Sequence, residues 1–100
     1  MPREKLEKYG PGELTNAELL AILLRTGTKE RGVTVLAEAC MEKYGGSLYA
    51  LERETLEGLS QLKGIGEVKA ITIKSALELG VRYYKERQLQ RTKITEPEDV

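Results

Sequence analysis

The sequence predicts an all-α fold, a small bundle of short helices, on three observations. Apolar residues recur at helical spacing along most of the chain, and no segment reads as a credible strand. Thr15, with Glu18 three residues on, forms a capping box ahead of a dense apolar run. Residues 62 to 70, Leu-Lys-Gly-Ile-Gly-Glu-Val-Lys-Ala, make a tight turn that opens an amphipathic helix.

The elements follow in order. Pro2 occupies a position that a first helical turn tolerates, Arg3 to Tyr9 continue it, and Gly10-Pro11-Gly12 ends it. Behind the Thr15 cap, Ala17 to Leu24 are apolar enough to predict a helix that is nearly all buried. Arg25 to Lys29 form a turn. Val33, Leu36, Ala37, Cys40, Met41 and Tyr44 then mark a helix running to Gly45-Gly46. Two short helices are predicted over about 47–51 and 54–60. The last helix starts near Glu67, carries Ala70, Ile71, Leu77, Val81 and Tyr84 on its apolar stripe, and enters the polar stretch Lys85 to Lys93. A helical domain over 1–87 and a polar, solvated linker over 88–100 are the expected boundaries.

Composition limits function. A chain of 100 residues with 40% hydrophobic content suits one small domain. There is no run of transmembrane length and no basic-then-apolar leader pattern, so a cytoplasmic protein is expected. The single Cys40 has no partner in the chain, which fits a reducing compartment and inert core packing. The absence of histidine argues against metal-hydrolase chemistry and Ser-His or Cys-His pairs, so this chain is not expected to be an enzyme and needs no cofactor. Sixteen basic residues balance sixteen acidic ones at a pI near 6.4, so any nucleic-acid contact must be local, weak and limited to a few phosphates.

The Gly64-Ile65-Gly66 turn is the feature with a specific chemical use. Two glycines reach backbone conformations that a Cβ forbids, and Ile65 between them can turn inward to pin the hairpin. The following helix leaves its first N–H groups without intrahelical partners at a positive dipole end. The amides of Gly64, Gly66 and Val68 can therefore hold an anion, with Lys63 and Lys69 flanking it. Such a contact takes a backbone phosphate rather than a base. A tight connection between packed helices with nothing bound is the competing reading. Lys63, Lys69 and Lys74 read equally as a solvated face, and Tyr84 as core.

A weak internal repeat accompanies the turn. Leu24-Arg25 and Gly32-Val33-Thr34-Val35 match Leu62-Lys63 and Ala70-Ile71-Thr72-Ile73 at one constant offset. In the first copy Thr26-Gly27-Thr28 stands where the second has Gly64-Ile65-Gly66, so the hairpin hydrophobe is lost. Two such turns on one face would add Arg25, Gly27, Lys29 and Arg31 to the candidate phosphate contacts.

Leu62 to Ile73 resemble the helix-hairpin-helix motif, and the pair resembles the tandem form, with the second copy intact and the first degenerate. More specifically, Pro2-Arg3-Glu4-Lys5-Leu6, the stretch from Leu14 to Gly27, and Lys63-Gly64-Ile65-Gly66, in this order, resemble the N-terminal region of the bacterial RadC family. The resemblance implies a DNA-repair context and weak, structure-selective DNA binding. It also implies a metalloprotease-like JAB/MPN domain further along, whose His and Asp zinc ligands are absent from this chain. That domain is an expected partner, and Ile94 to Val100 resemble the lead-in to it. Carried over position by position, the motif places phosphate on the amides of Gly64, Gly66, Val68 and Lys69, and a monovalent cation on the carbonyls of Ser60, Leu62 and Ile65. Glu67 departs from the pattern. It stabilises the helix dipole by about 0.3–1 kcal/mol but competes with a phosphate for the same end. Two other readings stand beside DNA binding: a protein-interaction or regulatory domain that positions the metalloprotease-like domain without touching DNA, and a purely structural helical domain.

Overall fold

The computed structural model describes residues 1–94. Its elements are α1 (Pro2–Tyr9), a 3-10 turn (Pro11–Glu13), α2 (Asn16–Leu24), α3 (Val33–Lys43), α4 (Leu48–Arg53), α5 (Leu56–Ser60) and α6 (Gly66–Ile94). Among the described residues there is no strand. The expected lead-in beyond position 94 lies outside the described residues.

Local chemistry sets most of the boundaries. Gly10, at φ 85°, closes α1 by donating its N–H to the Leu6 carbonyl at 2.8 Å. The capping box forms as the residues predict: the Glu18 N–H donates to Thr15 Oγ1 at 3.1 Å, and the Thr15 N–H donates to Glu18 Oε1 at 2.8 Å. Lys5 also donates to Glu18 Oε1, at 3.2 Å, which ties α1 to the start of α2. The Thr15 N–H and the Lys5 ammonium hold the Glu18 carboxyl below the ordinary carboxylate range. Ser47 and Thr55 cap α4 and α5 by accepting from the N–H groups of Ala50 and Gly58, both at 3.0 Å.

The core is continuous. Leu20, Ala21 and Leu24 of α2 meet Leu36, Ala37, Cys40 and Met41 of α3, and Leu51, Leu59, Ile65, Ala70 and Ile73 complete the cluster. Burial pushes the Cys40 thiol up from its usual range, consistent with an unreactive packing role. Tyr44 lies at the edge of this cluster and donates its hydroxyl to Glu54 at 3.2 Å. Burial, with the Glu54 charge, pushes the phenol up to about 12.

Several expectations are corrected by this packing. Helix α2 is not nearly all buried: Leu23 remains 39% exposed, because it faces the open groove between α2, α4 and α6 rather than α1 or α3. Ile71 and Tyr84 leave the apolar stripe for solvent, at 46% and 61% exposure. Lys74 is not a solvated lysine. It donates to the carbonyls of Glu52 and Glu54, the latter at 2.8 Å, and so satisfies the end of α4. Helix α6 also passes position 87 without a break. From Glu78 to Thr92 every residue except Val81 is exposed, since no neighbouring helix is long enough to follow it.

Three substitutions probe this frame. Leu59→Ala, at a fully buried side chain, is expected to cost about 2–5 kcal/mol by denaturant unfolding. Thr15→Ala is expected to cost about 1 kcal/mol. The Glu18 pairing, with the Thr15 N–H and Lys5, contributes above the ordinary glutamate pKa and is lost as pH falls through the lowered one. The deficit of a Glu18→Gln variant should therefore shrink on acidification in pH-dependent melts, whereas that of Thr15→Ala, which keeps the backbone N–H, should change little.

Candidate nucleic-acid interface

Two turns face each other here: the loop between α2 and α3, residues 25–32, and the turn between α5 and α6, residues 61–65. The second turn has the backbone that its glycines require. Gly64 sits at φ 90° and Gly66 at φ 66°, in the region that L side chains avoid. Ile65 between them is only 4% exposed and joins the core, as its position in the turn predicts. A methyl group on Gly64 would stand 2.8 Å from Leu36 Cδ1 and 3.1 Å from Thr28 Cγ2, so the glycine is also what allows the two turns to touch. Gly66 has open space around it and is demanded by its φ alone.

The first turn departs from the repeat. On the constant offset, Thr28 corresponds to Gly66, yet α3 does not begin until Val33. The intervening loop closes on itself: the Thr28 N–H donates to the Arg31 carbonyl at 2.8 Å, and the Arg31 N–H to Thr28 Oγ1 at 3.0 Å. Gly27 has no room for a Cβ, which would collide with the Arg31 carbonyl and stand 2.7 Å from the Val33 nitrogen. Arg25 takes φ 70° as α2 ends.

The helices that follow these two turns share with α1 the lack of a side-chain cap, whereas α2, α4 and α5 have one. Side-chain oxygens of Thr15, Ser47 and Thr55 cover the N-termini of α2, α4 and α5. Helix α3 begins at Gly32 with no side-chain cap, and α6 begins after Ile65, which has no side-chain acceptor. No acceptor outside α6 meets the N–H groups of Gly66, Glu67 or Val68 among the described residues. Both open N-termini therefore present orphan donors and a positive dipole end.

The basic residues divide into groups. The Lys69 ammonium donates to Thr26 Oγ1 at 3.2 Å and bridges the two turns. Lys63 and Arg31 line one small pocket together with Lys43, a residue that sequence reasoning did not single out. Only its place on α3, opposite the turn, brings Lys43 there. Arg25 lies elsewhere, beside Met1 and beside Pro2 and Arg3 of α1. Lys29 is exposed, as are Glu67 and Val68, so the carboxylate of Glu67 stands at the same helix end as the open amides. The carbonyl of Leu62 accepts the Ile65 N–H at 3.0 Å and keeps its second lone pair, so it remains able to join Ser60 and Ile65 as a cation ligand. The residues do not fit a zinc site: there is no histidine, Cys40 is buried, and no cluster of metal-binding side chains occurs among the described residues.

A larger concavity lies away from both turns. It is an apolar groove of about 760 Å³ between α2, α4 and α6, walled by Leu19, Leu23, Leu48, Leu77, Val81 and Tyr84. Among the described residues no helix is long and apolar enough to cross a membrane.

The chain is similar to a family described as UPF0758 N-terminal, whose model matches residues 1–71. Among curated proteins it is 48% identical over 99 residues to a UPF0758 protein of Syntrophomonas wolfei, covering 99% of this chain and 42% of that protein. It is 46% identical over 86 residues to one of Thermotoga maritima, covering 86% of this chain and 39% of that protein. A third, from Bacillus pumilus, is 44% identical over 98 residues, covering 98% of this chain and 43% of that protein. The chain thus spans less than half the length of these relatives. No solved structure matches it.

The turn geometry predicts an order of damage. Gly66→Val should lower stability by at least about 1–2 kcal/mol through its φ alone. Gly64→Ala should cost more, because it adds a collision to the strain. Thermal melts of both variants check the order, and an unchanged Tm for Gly66→Val would mean an ordinary helical conformation there.

Proposed function

Because the chain belongs to the UPF0758 family, whose N-terminal region is that of the RadC-like proteins, we propose that it is a DNA-binding module that grips backbone phosphate without reading sequence. The observation that carries this reading is the pairing of two uncapped helix N-termini, α3 and α6, behind turns that touch each other. The α6 end, at the amides of Gly64, Gly66, Val68 and Lys69, takes one phosphate, with Lys63 and Lys69 beside it. Arg31, Lys29 and Gly27 of the first loop serve a second. Arg25, which sits toward α1, contributes least. A monovalent cation on the carbonyls of Ser60, Leu62 and Ile65 would brace the hairpin from below. With so few contacts, binding favours the shape of a duplex or junction over its sequence.

A second reading has its own observation. The groove between α2, α4 and α6 presents an almost wholly apolar surface, with Asn16, Glu52 and Lys85 among its lining residues, and the relatives are more than twice as long as this chain. A docking role toward the further region of those proteins would use that face. The metalloprotease-like activity and the zinc that the resemblance implies would belong to that region.

Fluorescence anisotropy with short duplexes of unrelated sequence tests DNA binding. Two or three phosphate contacts predict that affinity falls roughly ten- to fortyfold between 50 and 200 mM salt. Lys69→Glu should weaken every duplex about equally, whereas a loss for one sequence alone would contradict phosphate-only contact.

A further inference from the structure

The small pocket beside the hairpin joins Lys43, which the backbone-phosphate reading does not use, to Arg31 and Lys63, which it does. Arg31 from the first loop, Lys43 from the last turn of α3 and Lys63 from the second turn line a space of about 180 Å³. No carboxylate lines it. None of the three cations forms an ion pair, and none of their side chains donates a hydrogen bond to another residue of the described structure. Three elements therefore bring positive charge to one point with nothing to neutralise it, in a chain whose net charge is zero.

The floor of the pocket is the protein core. Leu36, Cys40 and Ile65 are all buried and close it from below. A phosphodiester inside a strand continues on both sides, so it needs a groove open at two ends. A pocket whose core side is closed by Leu36, Cys40 and Ile65 instead suits a group at the end of a chain. A phosphomonoester is such a group, and it carries about −1.5 to −2 charges at neutral pH where a diester carries one. Three unpaired cations match that dianion.

We infer that the pocket lined by Arg31, Lys43 and Lys63 is a binding site for a terminal phosphomonoester, as carried by a phosphorylated DNA end. This deepens the proposed DNA-binding function and rests on it: the hairpin amides hold the strand, and the pocket reads whether the strand ends in phosphate. A 5′- and a 3′-phosphate share the chemistry, and the experiment separates them.

Three duplexes of one sequence, bearing a 5′-phosphate, a 3′-phosphate or hydroxyl ends only, are titrated at low salt into the unaltered chain and into its Lys43→Ala and Lys43→Arg variants. Lys43 is exposed, so both variants should fold, which circular dichroism checks. One phosphorylated duplex is expected to bind roughly five- to tenfold more tightly than the hydroxyl duplex, on the scale of a charge-assisted contact near the surface. Lys43→Ala should abolish that preference and Lys43→Arg retain it. Equal affinity for all three duplexes, or a preference that survives Lys43→Ala, overturns the end-reading pocket and leaves the hairpin grip standing. No binding of any duplex overturns both.

Discussion

Ile65 is the residue on which the arrangement of this domain hangs. Its side chain enters the core only because Gly64 and Gly66 on either side adopt positive φ, a conformation that costs glycine little and other residues about 1–2 kcal/mol each. Burying an isoleucine is worth about 1.5–3 kcal/mol, enough to hold a five-residue turn in one geometry. That geometry fixes where α6 begins, seats Gly64 against Leu36 and Thr28, and leaves the first amides of a 29-residue helix without side-chain cover. The contact between the two turns and the shared position of Lys63 and Arg31 follow from it.

The distribution of caps gives the fold its division of labour. Three helices of the frame have a hydroxyl closing the N-terminus, Thr15 on α2, Ser47 on α4 and Thr55 on α5, while α1 starts at Met1 without one. Each such cap is worth about 1 kcal/mol, so its absence from α3 and α6 leaves real stability unclaimed. Glu67 supplies part of it electrostatically, from the first turn of α6. A phosphate arriving at that end meets donors already oriented and one carboxylate opposed to it, a balance consistent with a weak, salt-sensitive grip.

Much of the fold was legible because its signals are local. Gly10, the Thr15 and Glu18 pair, and Gly64-Ile65-Gly66 each act within a few residues, and the elements they bound lie where the residues place them. What escaped depends on neighbours distant in sequence. The stripe of α6 continues through Val81 to Tyr84, but α2 has nine residues and α4 six, so the helix outruns its partners and Tyr84 meets solvent. Lys74 reads as one more surface lysine until the end of α4 is set beside it. Lys43 gains meaning only when α3 places it across from Lys63 and Arg31. The repeat was visible, but its loop was not, because the Thr28 to Arg31 bonds and the packing of Gly27 delay the start of α3.

The most direct test of the open-hairpin account is a backbone amide NMR titration of the chain with a short duplex, first at low and then at physiological salt. The account predicts shifts concentrated at Gly64 through Lys69, joined by residues of the 25–32 loop, and reversed as salt rises. An absence of shifts at low salt, or shifts confined to the groove between α2, α4 and α6, would contradict it and make the Gly-Ile-Gly turn a connection between packed helices.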